Sequence, residues 1–168
     1  MHPLARRLTA AAFAFAFASQ GKHEEAAAGY RRAAALAPHD YEVWYNLGNT
    51  CLEMGRVDEA VEAFRAAIPG GEQDHEVWNN LGNALAQQGE LVEATECFER
   101  AIAIKPSYDL SWNNLGNVLE ERGDERRAAD AYEKAIALAP YQATYHLNLA
   151  SALARCGDVH RARGALAI

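Results

Sequence analysis

The sequence predicts an all-α fold, an α-solenoid built from antiparallel helix pairs. Three observations carry that prediction. The string Trp78-Asn79-Asn80-Leu81-Gly82-Asn83 recurs unchanged as Trp112-Asn113-Asn114-Leu115-Gly116-Asn117. It occurs once more, with one difference, as Trp44-Tyr45-Asn46-Leu47-Gly48-Asn49. The three tryptophans stand 34 residues apart (78 − 44 and 112 − 78). A fixed period of this length marks an array of small supersecondary units, each buried against its neighbours.

With Trp44 at position 4 of the frame, the repeats are 7–40, 41–74, 75–108, 109–142 and a partial 143–168. They read as a single array over 1–168. Each repeat is expected to hold two helices. On the first, positions 4, 7, 8 and 11 share a face at about 100° per residue; in the third repeat these are Trp78, Leu81, Gly82 and Leu85. Position 15 is Gly21, Gly55, Gly89, Gly123 and Gly157. Glycine reaches the left-handed conformation of a helix C-terminus at little cost, so it ends the first helix. The second helix follows, with alanine at position 20 (Ala26, Ala60, Ala94, Ala128, Ala162) and at position 27 (Ala33, Ala67, Ala101, Ala135). Between them, position 24 is Tyr30, Phe64, Phe98, Tyr132 and Leu166. Position 8 is always small (Ala14, Gly48, Gly82, Gly116, Ala150). Small residues at 8 and 20 allow the helix axes to approach toward the low end of the usual ~8–10 Å.

The first repeat carries an ambiguity. Residues 1–18 hold Arg6 and Arg7, an apolar Ala/Phe run and Ala16-Phe17-Ala18, which mimics an export signal. The same stretch places Ala10, Phe13, Ala14 and Phe17 at positions 4, 7, 8 and 11, and Gly21 to Pro38 continue the register. A first helix is the expected reading, with Phe13 and Phe17 packed. In the second repeat Pro69 is expected to end the second helix early, with Gly70-Gly71 as a looser junction. The third and fourth repeats fit throughout. The fifth has His146 in place of tryptophan and a short second helix starting near Asp158, a suitable N-cap.

These columns resemble the tetratricopeptide repeat, whose W-x2-L-G-x2-Y, A-x3-F and P signature sits in this frame. Pro38, Pro106 and Pro140 take position 32, with Glu72 as the exception. The resemblance covers nearly the whole chain. It implies a right-handed superhelix whose first helices line a concave groove with the face opposite 4, 7, 8 and 11. Position 6 of that face is Asn46, Asn80, Asn114 and Asn148; position 9 is Asn49, Asn83, Asn117 and then Ser151. Asparagine is a mediocre helix former, so two columns of it need a reason. Its amide both donates and accepts, and can pair with a peptide N–H and C=O together. Such columns resemble the asparagine ladder of O-linked N-acetylglucosamine transferases, and also the plain consensus of the repeat; both readings stand.

Further candidates for ligand contact are Tyr45, Asn79 and Asn113 at position 5 and Glu42 and Glu76 at position 2. The acids, with Glu53, Glu120 and Glu121, suggest a rim that selects neutral to basic segments. Family members that clamp a C-terminal carboxylate use lysine or arginine here, so that type is disfavoured. Leu8, Ala11, Ala12, Phe15 and Ala18 make the first repeat's inner face an apolar wall. Leu8 and Phe15 at one end, and Leu166 and Ile168 at the other, are candidates for a hydrophobic anchor or for self-association.

A net charge of −7 without a basic stripe argues against nucleic acid. No run of 18 apolar residues suggests a membrane span. Three cysteines and six scattered histidines form no disulfide or metal pattern, and no phosphate loop, carboxylate pair or nucleophile–base set occurs. The expectation is a non-catalytic protein-interaction scaffold without cofactor or metal, binding an extended peptide or partner segment. It is cytoplasmic, or exported if residues 1–18 are a signal. A self-assembling homo-oligomeric module, and the targeting fragment of a larger glycosyltransferase, are the alternatives.

Overall fold

The computed structural model describes the backbone of residues 3–166 and the side chains of residues 9–166. Among these residues all regular structure is helical: α1 (Pro3–Ser19), α2 (His23–Leu36), α3 (Tyr41–Glu53), α4 (Val57–Gly71), α5 (His75–Gln88), α6 (Leu91–Ile104), α7 (Asp109–Glu121), α8 (Glu125–Leu138), α9 (Ala143–Arg155) and α10 (Val159–Ala165). The chain forms two compact units. The first runs through Gln88 and holds α1 to α5; the second begins at Gly89 and holds α6 to α10. Within each unit, consecutive helices pack on one another, and alternate first helices also meet: α1 with α3, α3 with α5, α7 with α9.

The turns form where the frame expects them. Gly21, Gly55, Gly89, Gly123 and Gly157 all have positive φ, between 71° and 83°. An L residue is strained there, which fixes where each first helix stops. Asp124 and Asp158 cap α8 and α10 by accepting from the backbone N–H of Arg127 and Arg161.

Ala26, Ala60, Ala94 and Ala128 are fully buried, as are Ala33, Ala67, Ala101 and Ala135. The position-24 rings Tyr30, Phe64, Phe98 and Tyr132 are buried with them. Position 8 proves to be the seat of that ring. A Cβ added at Gly48 would lie 2.6 Å from the Phe64 ring, and at Gly116 2.5 Å from the Tyr132 ring. The first repeat inverts the exchange: Ala14 occupies position 8, and Gly29 on α2 makes room, where a Cβ would meet that of Ala14 at 2.8 Å.

The tryptophan column has a polar task. The indole N–H of Trp44 donates to the Pro38 carbonyl (2.8 Å), Trp78 to Glu72 (2.9 Å) and Trp112 to Pro106 (2.9 Å). Each acceptor is a main-chain carbonyl just past the end of a second helix, a region short of intrahelical donors. A main-chain acceptor is indifferent to its side chain, so Glu72 replaces proline at no loss. His146 keeps a contact of this kind: Nε2 lies 2.9 Å from the Pro140 carbonyl and Nδ1 3.1 Å from the Ala165 carbonyl, and a hydrogen on Nε2 donates as the indole does.

Two expectations are corrected. Pro69 does not end its helix: α4 continues through Gly71, which is buried. The two glycines are packing residues. A Cβ on Gly70 would come within 3.0 Å of Tyr41, and one on Gly71 within 2.8 Å of its ring. Phe13 is 61% exposed rather than packed. Its neighbour Ala14 faces α2, while the flank bearing Phe13 carries no helix among the described residues.

Gly116→Ala should destabilise the fold by about 1–3 kcal/mol from overpacking, although alanine favours a helix by roughly 1 kcal/mol over glycine. A urea titration checks it; equal or higher stability would refute the ring-seat reading.

Burial raises the phenol pKa of Tyr132, and of Tyr145; the Glu120 and Asp109 carboxylates beside them add to the effect. Unfolded tyrosines ionise near pH ~10. Above that, the unfolded state holds fewer protons at these two groups than the folded state, so their contribution to stability is constant below pH ~10 and falls as pH rises beyond it. Phenolate absorbance from Tyr132 and Tyr145 should therefore emerge together with the loss of helical circular dichroism. Full titration with the helix content intact would contradict this.

Candidate functional site

The expected binding residues lie on two faces, one per unit. In the first unit, α3 and α5 bring them together. Asn46 on α3 donates Nδ2 to the Glu42 carbonyl one turn back (2.8 Å). Asn80 on α5 donates Nδ2 to Asn49 Oδ1 (2.9 Å) and to the Tyr45 hydroxyl (3.2 Å). Tyr45 in turn donates to Glu76 Oε2 (3.1 Å), and its ring tilts against Phe64 with centroids 6.1 Å apart. Burial is the main cause of its raised pKa; the Asn49 hydrogen bond opposes the shift and Glu76 adds to it. Asn83 is half-buried, and its side chain makes no hydrogen bond among the described residues.

In the second unit, α7 and α9 repeat the arrangement. Asn148 donates Nδ2 to Asn113 Oδ1 (3.0 Å) and Asn117 Oδ1 (3.2 Å). The Tyr132 hydroxyl donates to Asn117 Oδ1 at 2.8 Å. Asn114 is half-buried on the same helix. The link from position 9 to the next position 6 therefore occurs in both units, as Asn49 with Asn80 and Asn117 with Asn148.

Two expected contact residues sit behind this layer. Asn79 is 4% exposed and donates to Asn80 Oδ1 (3.2 Å); Asn113 is 8% exposed and accepts from Asn148. They hold the ladder amides from behind. Glu42, Glu76 and Glu121 are exposed. Phe15 is 65% exposed on α1, and Leu166 54% exposed after α10. The Leu8 side chain and Ile168 lie outside the described residues.

Sequence reasoning named Glu120 as a rim acid but missed the cluster it joins. Glu120 takes position 12, which is alanine or leucine in the other repeats. Its carboxylate accepts from Ser151 Oγ (2.9 Å) and Arg155 (3.4 Å), and lies 3.1 Å from the Tyr132 hydroxyl. Arg155 also pairs with Glu125 at 3.1 Å. The acid among apolar residues in one column was the available signal. Its partners come from 12, 31 and 35 residues away, which no local pattern relates.

No helix among the described residues is long and apolar enough to cross a membrane. Cys51 and Cys97 are buried, the former in the core as its position implies, and Cys156 is exposed.

Comparison with known proteins follows this geometry. Family models described as tetratricopeptide repeat match residues 17–81, 75–108 and 110–141. A comparison with curated protein sequences found no match. Among solved structures, the chain is similar to a MamA protein, with a TM-score of 0.92 and 22% identity over 96% of this chain and 88% of that one. It is similar to YrrB, described as a TPR protein with an unusual peptide-binding site: TM-score 0.82, 21% identity, 94% and 81% covered. PilF of Pseudomonas aeruginosa gives 0.80 at 20% identity, with 98% and 77% covered. The repeat frame, the helix pairs and these matches agree, and the chain belongs to the tetratricopeptide-repeat family.

Proposed function

We propose that the chain is a non-catalytic protein-interaction scaffold, one array of four full repeats and a partial fifth, that holds an extended segment of a partner on its first-helix face. The observation that carries this reading is the hydrogen-bond capacity left on the asparagines. The ladder amides do not point their full valence outward, because part of it joins adjacent first helices. At position 6 the internal bonds use Nδ2, in Asn46, Asn80 and Asn148, and leave acceptor capacity on Oδ1, part of which Asn80 gives to Asn79. At position 9 they consume Oδ1, in Asn49 and Asn117; Nδ2 of Asn117 is left as a donor, while that of Asn49 is shared with the Tyr45 hydroxyl. One acceptor and one donor per rung is what a peptide unit needs for its N–H and its C=O.

A contact made to the main chain reads backbone and tolerates sequence. The exposed Glu42, Glu76 and Glu121 add a preference for neutral to basic segments. The likeness in fold to YrrB, described as having a peptide-binding site, supports the same direction. Buried Asn79 and Asn113 act by holding their neighbours. Each rung contributes about 1 kcal/mol net, which places affinity in the micromolar range.

The test selects peptides on the unmutated protein from a random twelve-residue library, then measures them against Asn117→Asp with Asn83→Ala. The aspartate keeps the acceptor that Tyr132 and Asn148 use and deletes the outward donor; Asn83 has no internal bond to lose. Dissociation constants should rise about tenfold or more with the melting temperature unchanged. Unaltered affinity in the double variant, or a library that yields no binder, would overturn the reading.

A further inference from the structure

At its first repeat the array presents an open apolar groove of about 870 Å³ between α1 and α2. Phe13 and Phe17 form one wall, Gly29 and Leu36 the other, and Glu25 and Arg32 stand on its edge. It is a different surface from the asparagine face, since positions 7 and 11 line it rather than 6 and 9. The protein shows what such a groove accepts. The equivalent groove of the fourth repeat, between Trp112, Leu115 and Leu119 of α7 and Arg127 and Ala131 of α8, also includes Glu99 and Ile102 of α6. With that preceding second helix seated, the free volume is about 330 Å³.

The seating is accompanied by an ion pair between position 25 of the incoming helix and position 19 of the receiving one. Glu99 pairs with Arg127 at 3.0 Å. The same two positions pair as Arg31 with Glu59, in α2 and α4, and as Glu133 with Arg161, in α8 and α10. The sign differs between junctions, but the positions do not. In the first repeat, position 19 is Glu25. It is exposed and has no ion-pair partner among the described residues.

We infer that this groove docks an amphipathic helix of a partner protein that carries a cation facing Glu25 and an aliphatic residue three positions further on, the spacing of Glu99 and Ile102 in α6. The aliphatic side chain enters the channel beside Phe13, whose counterpart Leu115 lines the fourth-repeat groove together with Ile102. The cation selects the partner and sets its register. A second copy continuing the array does not meet this requirement. By the repeat frame, position 25 of the 143–168 repeat is Ala167, an uncharged residue, and Arg161 of α10 is already engaged by Glu133.

The test uses two constrained helical peptides with the α6 sequence Leu91–Ile104, both with Cys97→Ala, one of them also with Glu99→Arg. Binding to the full chain is followed by calorimetry. The Glu99→Arg peptide should bind about fivefold or more tighter than its Glu99 parent, by the removal of like-charge repulsion and gain of an ion pair. Glu25→Arg in the protein should reverse that order, and Phe13→Asp should abolish both interactions. Phe13 is exposed, so that variant keeps the fold, which circular dichroism verifies. Absence of binding by either peptide, or a preference that Glu25→Arg leaves unchanged, would overturn the proposal. So would sedimentation showing that the protein alone dimerises and that Phe13→Asp makes it a monomer, because the groove would then belong to a second copy.

Discussion

The constraint on which the rest depends is the space left at position 8, which carries glycine in the second, third and fourth repeats and alanine in the first and fifth. Gly48 and Gly116 let a phenyl and a phenol ring lie against the backbone of the first helix. A ring can be fully buried within a single helix pair only if one partner yields that space. Once it is buried, the alanines at positions 20 and 27 come into contact, and the pair becomes a slab with one apolar edge on each side. Stacking follows, because a slab of two helices cannot cover its own edges. The first repeat shows that the requirement concerns space rather than a particular residue, since there the void sits at Gly29 under Ala14.

Much of this was legible in the sequence, because the determinants are local. A glycine with positive φ, an alanine column and an aromatic column each depend on one helix or one turn, and the period exposes them together. The misreadings at Pro69 and Phe13 share a different cause. The proline rule concerns the helix interior, whereas Tyr41, from another helix, decides what the two following glycines are for. The position-7 rule takes for granted a neighbour on the outer flank, and the flank bearing Phe13 has none among the described residues.

The candidate site was legible by residue and not by valence. The asparagine columns stood out because they make poor helix formers on an exposed face. That Asn49, Asn80, Asn113 and Asn148 join neighbouring first helices depends on contacts spanning 31 and 35 residues, which chemistry permits but period alone does not reveal. The internal bonds also orient the amides: Asn46 must aim its nitrogen at a carbonyl, which cannot donate. A binding face whose side chains are already held loses less rotamer entropy when a ligand arrives.

The bond from each tryptophan to a main-chain carbonyl has a consequence of another kind. Trp44, Trp78 and Trp112 are the only indoles in the chain, and each is tied to the end of the preceding second helix. They are native fluorophores placed at three successive joints, and each emits from an environment that changes when its own joint opens. Stacked-repeat proteins unfold by a sum of local and nearest-neighbour terms, so substituting two tryptophans with phenylalanine leaves a reporter for one joint at a time. The fourth joint, closed by His146, is dark, and the order in which the others brighten or dim maps where cooperativity breaks along the chain.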